Sequence, residues 1–227
     1  MKPIRVNVLI VLVCLGCGCV GDDIDPTVGA STTYPPPPPP TITETATITD
    51  PGPDLGSPTT CDDSPKGGED ECKVVFVREA TSNGGLGGLS GADEKCQSAA
   101  FAAGLQGTYL AWLSTSEGSP VSRFKKSSVP YRRIDGVEVA ENWSGLVDGG
   151  LTNAINVTEQ GNPPVGNVWT NTVAKGTGWG GSDCQGWTDS ESAAPGNGYP
   201  PNKDTTWTQG GVDSGCGAEL HIYCFEQ

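Results

Sequence analysis

Six cysteines beyond residue 60 constrain this chain more than any other feature of its sequence. They are Cys61, Cys72, Cys96, Cys184, Cys216 and Cys224. An even number of cysteines in an exported chain predicts a disulfide framework, although spacing alone does not select the pairing. No pair among the six has the C-x-x-C spacing that is typical of thiolate zinc sites, so disulfides are favoured over a metal.

The N-terminal residues predict export. Two basic residues precede the apolar segment Val8–Leu15, which is too short to span a bilayer and is typical of a signal peptide. Small residues then lead into Cys17, as in a bacterial lipobox, where the cysteine after the cleavage site carries a diacylglycerol. We predict a lipoprotein signal peptide over residues 1–16 and a lipid anchor at Cys17. The alternatives are lipidation at Cys19 and an ordinary secretory signal cleaved near Gly21. The expected location is the bacterial outer membrane or cell surface, or otherwise the medium.

Residues 17–60 lack hydrophobic periodicity and include six consecutive prolines, Pro35–Pro40. Proline runs form extended polyproline II, and a Pro/Thr-rich tract buries too little apolar surface to fold. The segment is therefore predicted to be a disordered stalk, with an SH3-type ligand as the alternative interpretation of the proline run. The remaining residues, 61–227, are predicted to form one domain.

Charge and composition exclude several classes of protein. The formal net charge is −14, so nucleic acid is not an expected partner, because phosphate binding requires a basic surface. The 33 glycines and 19 prolines disfavour helical bundles and doubly wound α/β enzymes. A single histidine, His221, rules out a multi-histidine metal site and lacks an evident catalytic partner.

One main helix is predicted within an otherwise strand-rich domain. The helix covers residues 91–103, with Ser90 as its N-cap, Asp93 in a capping box, and Gly104 after its C-terminal end. Its small-residue face includes Cys96. The other predicted elements are strands at 73–78, 108–113, 129–134, 137–139 and 219–225, a second, short helix at 142–147 and a long loop region over 148–215.

Six collinear stretches resemble a known domain family. They are residues 75–77, 84–96, 103–114, 168–169, 184–187 and 221–226. Together they resemble endostatin, the C-terminal domain of collagens XV and XVIII. They resemble still more closely a bacterial family of endostatin-like domains of unknown function, which occurs on surface lipoproteins including those of Leptospira. The resemblance covers about residues 73–227 and implies an α+β, C-type-lectin-like fold with two antiparallel sheets.

The resemblance also implies a nested set of disulfides. Cys96–Cys224 would join the main helix to the last strand, Cys184–Cys216 would close the long loop, and Cys61–Cys72 would form an N-terminal pair. Two sequence patterns agree with the first of these pairs. Cys96 lies on the small-residue face of the helix, and Cys224 has the same strand parity as Ile222, so both are expected to point into the core.

The long loop supplies candidate ligand-binding residues. Tryptophans can stack on sugar rings while amides bind hydroxyls, and the candidates are Trp169, Trp179, Trp187, Trp207, Asn167 and Asn202. The alternative is that the tryptophans pack this loop onto the domain. The Glu-Pro-Asn, Gln-Pro-Asp and Trp-Asn-Asp triplets of calcium-dependent lectins do not occur in the sequence.

Two charged clusters complete the candidate sites. Carboxylates suit a structural calcium, and the loop offers Asp183, Asp189, Asp204 and Asp213. The basic cluster, which would suit a sulfated glycan or another anionic partner, consists of Arg123, Lys125, Lys126, Arg132 and Arg133. Its alternative interpretation is a solvated loop and strand edge.

These features predict a non-catalytic binding module outside the cell. The expected ligand is a glycan or a matrix or envelope protein, and the leptospiral relatives are associated with host matrix and complement proteins. A structural envelope component without a soluble ligand is the first alternative. An exported hydrolase is the second, because carboxylate pairs can converge from distant positions in the sequence. No cofactor beyond calcium is expected.

Overall fold

The computed structural model describes Cys61, residues 72–212 and residues 214–227. The predicted signal peptide, the predicted stalk, both candidate lipidation sites, Cys17 and Cys19, and the candidate calcium ligand Asp213 lie outside the described residues. The lipoprotein and stalk assignments therefore stay predictions.

Seven strands form one sheet around the last strand of the chain. They are β1 (Lys73–Val77), β2 (Tyr109–Ala111), β3 (Tyr131–Arg133), β4 (Glu138–Ala140), β5 (Val168–Trp169), β6 (Asn197–Gly198) and β7 (His221–Glu226). The order is β4-β3-β1-β7-β5-β6, and β2 also pairs with β7. Strand β7 therefore has β1 along one edge, while β2 and β5 share its other edge.

The sheet is mixed, which corrects the expectation of two antiparallel sheets. Strands β1 and β3 are parallel, with Lys73 opposite Tyr131, and β5 and β7 are parallel, with Val168 opposite His221. Parallel neighbours require a crossover connection, and the segment between β1 and β3, which contains the main helix and β2, provides one. The α+β class holds. Strands β1 to β4 and β7 lie where alternating and β-branched residues predicted them, although most are shorter, whereas β5 and β6 lie in the segment that was predicted as a long loop.

Side chains alternate between two cores on opposite faces of the sheet. In β1, Val74 and Phe76 belong to one core, whereas Val75 and Val77 belong to the other. The same alternation runs through β7, where Cys224 lies in the first core and its neighbours Tyr223 and Phe225 lie in the second. Strand residues point alternately to the two faces of a sheet. Both central strands therefore bury both faces, and the predicted inward orientation of Cys224 is confirmed.

The main helix α1 (Gly88–Ala102) packs on the first core through Ala92, Cys96 and Ala100. It begins three residues before the predicted start, after Gly87, whose φ of 87° lies in the left-handed region that glycine adopts without strain. Ser90 is therefore a residue of the first turn and does not cap the helix. Gly104, with φ of 75°, follows the C-terminal end as predicted.

The other helices are single turns. They are α2 (Pro120–Arg123), α3 (Trp143–Leu146), a turn with positive φ (Cys184–Trp187) and a 3-10 turn (Thr205–Trp207). Helix α3 confirms the predicted short helix, and the Asn142 side chain caps it by accepting a hydrogen bond of 3.1 Å from the Gly145 N–H. In the described ranges, no helix is long and apolar enough to cross a membrane.

Three disulfides connect these elements, and the predicted framework is confirmed. Cys96–Cys224 joins α1 to β7, Cys184–Cys216 closes a segment of the long loop, and Cys61–Cys72 precedes β1. These are the three pairs that the family resemblance implies. The first two lie in the core on the α1 side of the sheet.

Candidate functional site

Two grooves flank the first turn of α1. The first has a volume of about 670 Å³ and is lined by Arg78, Leu86, Lys95, Glu94, Ser98 and Glu159, among others; we call it the Arg78 groove. The second has a volume of about 570 Å³ and is lined by Gly88, Thr115, Ser116, Asp183, Gln185 and Thr188, among others; we call it the Gln185 groove. The exposed Ser90 lines both grooves.

Arg78 occupies the Arg78 groove directly after β1. Its backbone N–H continues the sheet by donating to the Ile222 carbonyl at 2.8 Å. The guanidinium Nη1 donates to the Ala80 carbonyl at 2.6 Å and to Ser82 Oγ at 3.2 Å. Partial burial lowers the pKa of Arg78, and the nearby Glu159 carboxylate opposes that shift. The side chain, which lines the groove, is thus held in place through Nη1.

The Gln185 groove is bordered by a left-handed turn over Cys184–Trp187. All four residues have positive φ, between 51° and 69°, although only Gly186 is a glycine. Each non-glycine residue in this conformation costs roughly 1–2 kcal/mol. Several contacts hold the turn: the Cys184–Cys216 disulfide, a hydrogen bond of 2.9 Å from the Gly186 N–H to Asp183 Oδ1, and burial of Trp187. The exposed Gln185 is therefore presented by a fixed backbone.

Three of the four candidate tryptophans belong to the core and have no face free for a sugar. Trp169, Trp187 and Trp207 are completely buried. Trp169 and Trp187 pack against each other with ring centroids 5.8 Å apart, and Trp187 Nε1 donates to the Ser114 carbonyl at 3.0 Å. The alternative, that these tryptophans pack the long loop onto the domain, is the correct one. Sequence did not decide it, because an aromatic residue suits a core and a ligand surface equally well.

The other three candidates in the long loop are separated from the grooves. Trp179 is half-buried, and its ring covers Gly196, where an added Cβ atom would collide with Trp179 Cε3. The Asn167 carbonyl accepts a hydrogen bond of 3.1 Å from the His221 N–H. Asn202 Nδ2 donates to Thr206 Oγ1 at 2.7 Å. None of these three residues lines either groove.

The predicted basic cluster does not form one free positive surface, because its three arginines are paired. Arg123 bonds both carboxylate oxygens of Asp93 at 2.7 and 2.6 Å, and Arg132 pairs with Glu138 at 3.3 Å. Arg133 pairs with Asp135 at 2.6 Å. The two lysines, Lys125 and Lys126, are exposed. The alternative interpretation of the cluster, as a solvated loop and strand edge, therefore applies only to these two lysines.

The ion pair with Arg133 also lowers the pKa of Asp135. Burial alone would raise this pKa, but hydrogen bonds from the Arg133 side chain and the Val137 N–H lower it by more than burial raises it, so that the pKa lies below its usual value. Arg133 is anchored in addition by the Ala154 carbonyl at 3.1 Å and by Asn156 Oδ1. The arginine therefore joins the β3–β4 turn to the following loop.

The described aspartates of the calcium hypothesis are each engaged in local backbone structure. Asp183 caps the left-handed turn. Hydrogen bonds from Ser192 and from the Glu191 N–H lower the pKa of Asp189, and hydrogen bonds from the Thr206 side chain and N–H lower that of Asp204. Within the described ranges, no three His, Cys, Asp or Glu side chains are grouped where a metal could be held. The three aspartates are thus not brought together, and the calcium prediction is left without a described site.

His221 is a structural residue at the start of the central strand β7. It is 6% exposed, and its ring nitrogens lie 2.9 Å from the Arg78 carbonyl and 3.1 Å from the Val165 carbonyl. Both nitrogens are occupied by backbone carbonyl oxygens, so the ring joins the end of β1 to the loop before β5. The alternation of side chains along the predicted strand correctly placed His221 on the face opposite Ile222.

A buried polar layer was not predicted from the sequence. Ser114 Oγ and Thr172 Oγ1 lie 2.8 Å apart, and Thr170 Oγ1 donates to the Thr208 carbonyl at 2.6 Å. Beside this layer, Asn171 and Asn197 are buried with side-chain oxygens that contact no polar partner in the described part of the chain. Threonine and asparagine in a Gly-rich loop predict turns, so local sequence carried no signal of burial.

Sequence analysis also missed the residues that line the Arg78 groove. Arg78, Lys95 and Glu159 are far apart in the chain. The bridge between Val77 and Thr158 brings Glu159 to the end of β1, and the packing of α1 on the first core brings Lys95 to the same groove. The only feature of the sequence that pointed to this region was the run of glycines before α1, which predicted a tight turn into a helix.

The comparison with family models decides the family. The model described as protein of unknown function (DUF1554) matches residues 79–202, which is more than half of the chain. The chain belongs to the DUF1554 family. No curated protein matches the chain.

The DUF1554 match covers most of the domain. It includes α1, strands β2 to β6, the left-handed turn and the groove residues Lys95 and Glu159. Arg78 lies one residue before the match, and β7 lies after it. Membership in a family of unknown function agrees with the coarser part of the resemblance. The endostatin-like and C-type-lectin-like assignments go further than this match and stay predictions.

Proposed function

We propose that this DUF1554 protein is a non-catalytic binding module that acts outside the cell, with a glycan or a matrix or envelope protein as its ligand. In this proposal the domain adopts an endostatin-like, C-type-lectin-like fold. A lipid on Cys17, or alternatively on Cys19, anchors the chain at the bacterial surface, and residues 17–60 act as the stalk. The three disulfides support the fold assignment, because they join the same cysteines that the family resemblance implies.

The observation that carries the binding proposal is the pair of grooves on either side of Ser90. Both grooves are lined by hydroxyl and carboxylate groups, to which the Arg78 groove adds two cations and the Gln185 groove adds the Gln185 amide. Such groups recognise sugars and polar protein surfaces. The elements that form them are fixed by the Cys96–Cys224 and Cys184–Cys216 disulfides. A rigid polar surface loses little conformational entropy on binding, which favours recognition.

Ionisation supports binding over catalysis. Burial raises the pKa of three tyrosines, Tyr109, Tyr131 and Tyr223, and all three lie in the hydrophobic cores. A general acid or base with a shifted pKa is expected beside its substrate, whereas these three shifts occur in the cores. The group with a shifted pKa in the Arg78 groove is Arg78 itself, whose guanidinium keeps its proton in proteins.

A structural envelope component is the second candidate function. The burial of Trp169, Trp187 and Trp207 favours it, because this alternative expected the long loop to pack on the domain instead of offering its aromatic side chains to a ligand.

An array of glycans and matrix proteins tests the proposal. The oxidised full chain is applied once with calcium and once with EDTA, beside the variant Ser90→Leu, which narrows both grooves. Phe101→Leu is the matched control, because Phe101 lies on the same helix, is 81% exposed and lines neither groove. We expect a signal that Ser90→Leu weakens and Phe101→Leu preserves. Silence in both solutions would favour the structural envelope component, and a signal that both variants preserve would place the binding surface elsewhere.

A further inference from the structure

We propose that the Arg78 groove binds a sugar acid, a polyhydroxylated ring that carries one carboxylate, either free or at the end of a glycan chain. This inference rests on the proposed function and assigns its ligand class and its site. The groove volume of about 670 Å³ lies inside the range of roughly 300–1,000 Å³ that small-ligand sites occupy. One or two sugar rings therefore fit the space.

Arg78 provides the anchor for the carboxylate. Nη1 is the nitrogen that bonds Ala80 and Ser82, and within the described ranges Nε and Nη2 donate to no protein atom. The backbone on both sides is fixed, because the Arg78 N–H bonds Ile222 and the Arg78 carbonyl bonds the His221 ring. A guanidinium that is held at one nitrogen and free at two others is preorganised to bind a carboxylate through a pair of hydrogen bonds.

Lys95 on α1 provides a second cation in the same groove. It is half-buried on α1, and it forms no ion pair with any described residue. Arg123, by contrast, is already neutralised by Asp93. Arg78 and Lys95 are thus two positive groups of the groove that can bind an anionic group of a ligand.

Two carboxylates in the same groove limit the ligand to one negative charge with hydroxyl groups around it. Glu94 is exposed on α1, and Glu159 accepts from the Glu79 N–H at 2.8 Å through one of its oxygens. Carboxylates accept hydrogen bonds from sugar hydroxyls and repel further anionic groups. Since the two cations and two carboxylates balance, a densely sulfated chain or a phosphate cluster is disfavoured, while a uronic acid matches the pattern.

The serine hydroxyls complete this arrangement. Ser90 and Ser98 line the same wall as Lys95 at helical spacing, and each hydroxyl can donate and accept. The groove therefore offers donors and acceptors for a ring with several hydroxyls. Ala80, Leu86 and Ala99 add apolar surface, on which the CH groups of a sugar ring can pack.

The test is a titration of the oxidised full chain with galacturonic acid, followed by NMR chemical shifts. Oligogalacturonate, neutral galactose and a sulfated galactan are the comparison probes. Lys95→Gln should weaken binding of galacturonic acid by about tenfold, because it removes one charge-assisted contact, and Arg78→Lys should weaken it similarly by removing the two-point geometry. Glu94→Gln should strengthen binding about twofold, because a neighbouring anionic charge is removed. The control Lys126→Gln carries the same charge change outside the groove and should have no effect.

The outcomes separate this inference from the proposed function. Tighter binding of oligogalacturonate than of the monosaccharide, with the same response to the variants, assigns the ligand to the end of a chain; equal binding assigns it to the free sugar. Binding of galactose or the sulfated galactan that is unaffected by Lys95→Gln and Glu94→Gln would overturn the sugar-acid site and leave the binding module intact. If none of these four probes binds, the sugar-acid site is overturned. If the array of glycans and matrix proteins also gives no signal, the proposed binding function is overturned as well.

Discussion

Asp93 and Arg123 form an ion pair in which both carboxylate oxygens lie within 2.7 Å of one guanidinium nitrogen. Asp93 Oδ1 also accepts the Ala111 N–H at 2.9 Å, and Arg123 Nη1 donates to the Ala111 and Leu113 carbonyls. The pair therefore connects α1, α2 and the end of β2. It explains why Asp93 does not act as a helix cap and why Arg123 is not part of a free basic surface.

Replacement of Asp93 by asparagine should destabilise the domain by about 2–3 kcal/mol. The substitution leaves the half-buried Arg123 guanidinium without its counter-ion, and unpaired charges that are partly removed from water are costly. Urea unfolding measures the change in the free energy of unfolding. The control is Arg132→Gln, because the Arg132–Glu138 pair is 40% and 36% exposed and should contribute less than about 1 kcal/mol. Equal losses in the two variants would contradict the structural role of Asp93.

Loss of the Cys96–Cys224 disulfide should be more damaging than loss of Cys61–Cys72. The first bond joins residues 128 apart in the chain and the second joins residues 11 apart. In the chain-entropy model the two closures stabilise the fold by about 5 and about 3 kcal/mol. Paired Cys→Ala variants of each bond, compared by thermal unfolding under the same oxidising conditions, measure the difference. A larger loss for Cys61–Cys72 would show that unfolded-state structure outweighs loop closure.

Trp187→Ala should destabilise the domain by about 3–5 kcal/mol, because it empties a completely buried site in the core. It also removes the hydrogen bond from Trp187 Nε1 to the Ser114 carbonyl. Trp179→Ala is the matched comparison and should cost less, since that ring is only half-buried. Denaturant midpoints give both values. A Trp187→Ala variant that keeps its stability but loses ligand binding would restore this tryptophan to the binding surface.

Stability should fall as the pH rises above about 10. Burial raises the pKa of Tyr131 to about 12, and burial also raises the pKa of Tyr109 and Tyr223. An unfolded tyrosine loses its proton near pH 10, while the folded protein retains it, so the unfolded state is favoured between that pH and the folded pKa. Each tyrosine then contributes up to roughly 1.4 kcal/mol of destabilisation per pH unit in this window.

Unfolding curves between pH 8 and 12 test this pH dependence, with Tyr131→Phe as the informative variant. Phenylalanine keeps the ring in its contact with Phe225, whose centroid is 5.8 Å away, and removes the ionisable group. The variant should therefore lose less stability than the wild type above pH 10. An identical alkaline slope in the two proteins would assign the transition to other groups.

Sequence patterns predicted the parts of the fold that depend on local periodicity. The alternation in β1 and β7, the small-residue face of α1 and the short helix after Asn142 are all short-range signals, and each appears in the structure at nearly the expected position. The predicted start of α1 was wrong because Gly87 and Gly88 adopt positive φ and turn the chain directly into the helix. That geometry replaces the side-chain cap that was predicted at Ser90.

The candidate site was less accessible to sequence analysis, because it depends on long-range contacts. Arg78 and Glu159 are 81 positions apart, and the strand pairings that bring them together have no counterpart in local spacing. The same limit applies to Trp169 and Trp207, since their burial depends on residues from distant parts of the chain. A left-handed turn at Cys184–Trp187 was also not predictable, because only one of its residues is a glycine.

The position of β7 at the middle of the sheet has a consequence for biosynthesis. Strands β1, β2 and β5 all use β7 as a pairing partner, yet β7 follows every one of them in the chain. The ribosome therefore makes β7 after the strands that pair with it, so β1, β2 and β5 are synthesised before their common partner exists. The sheet therefore closes only after Glu226 has been synthesised, and a nascent chain that stops short of β7 lacks the strand that joins β1 to β2 and β5.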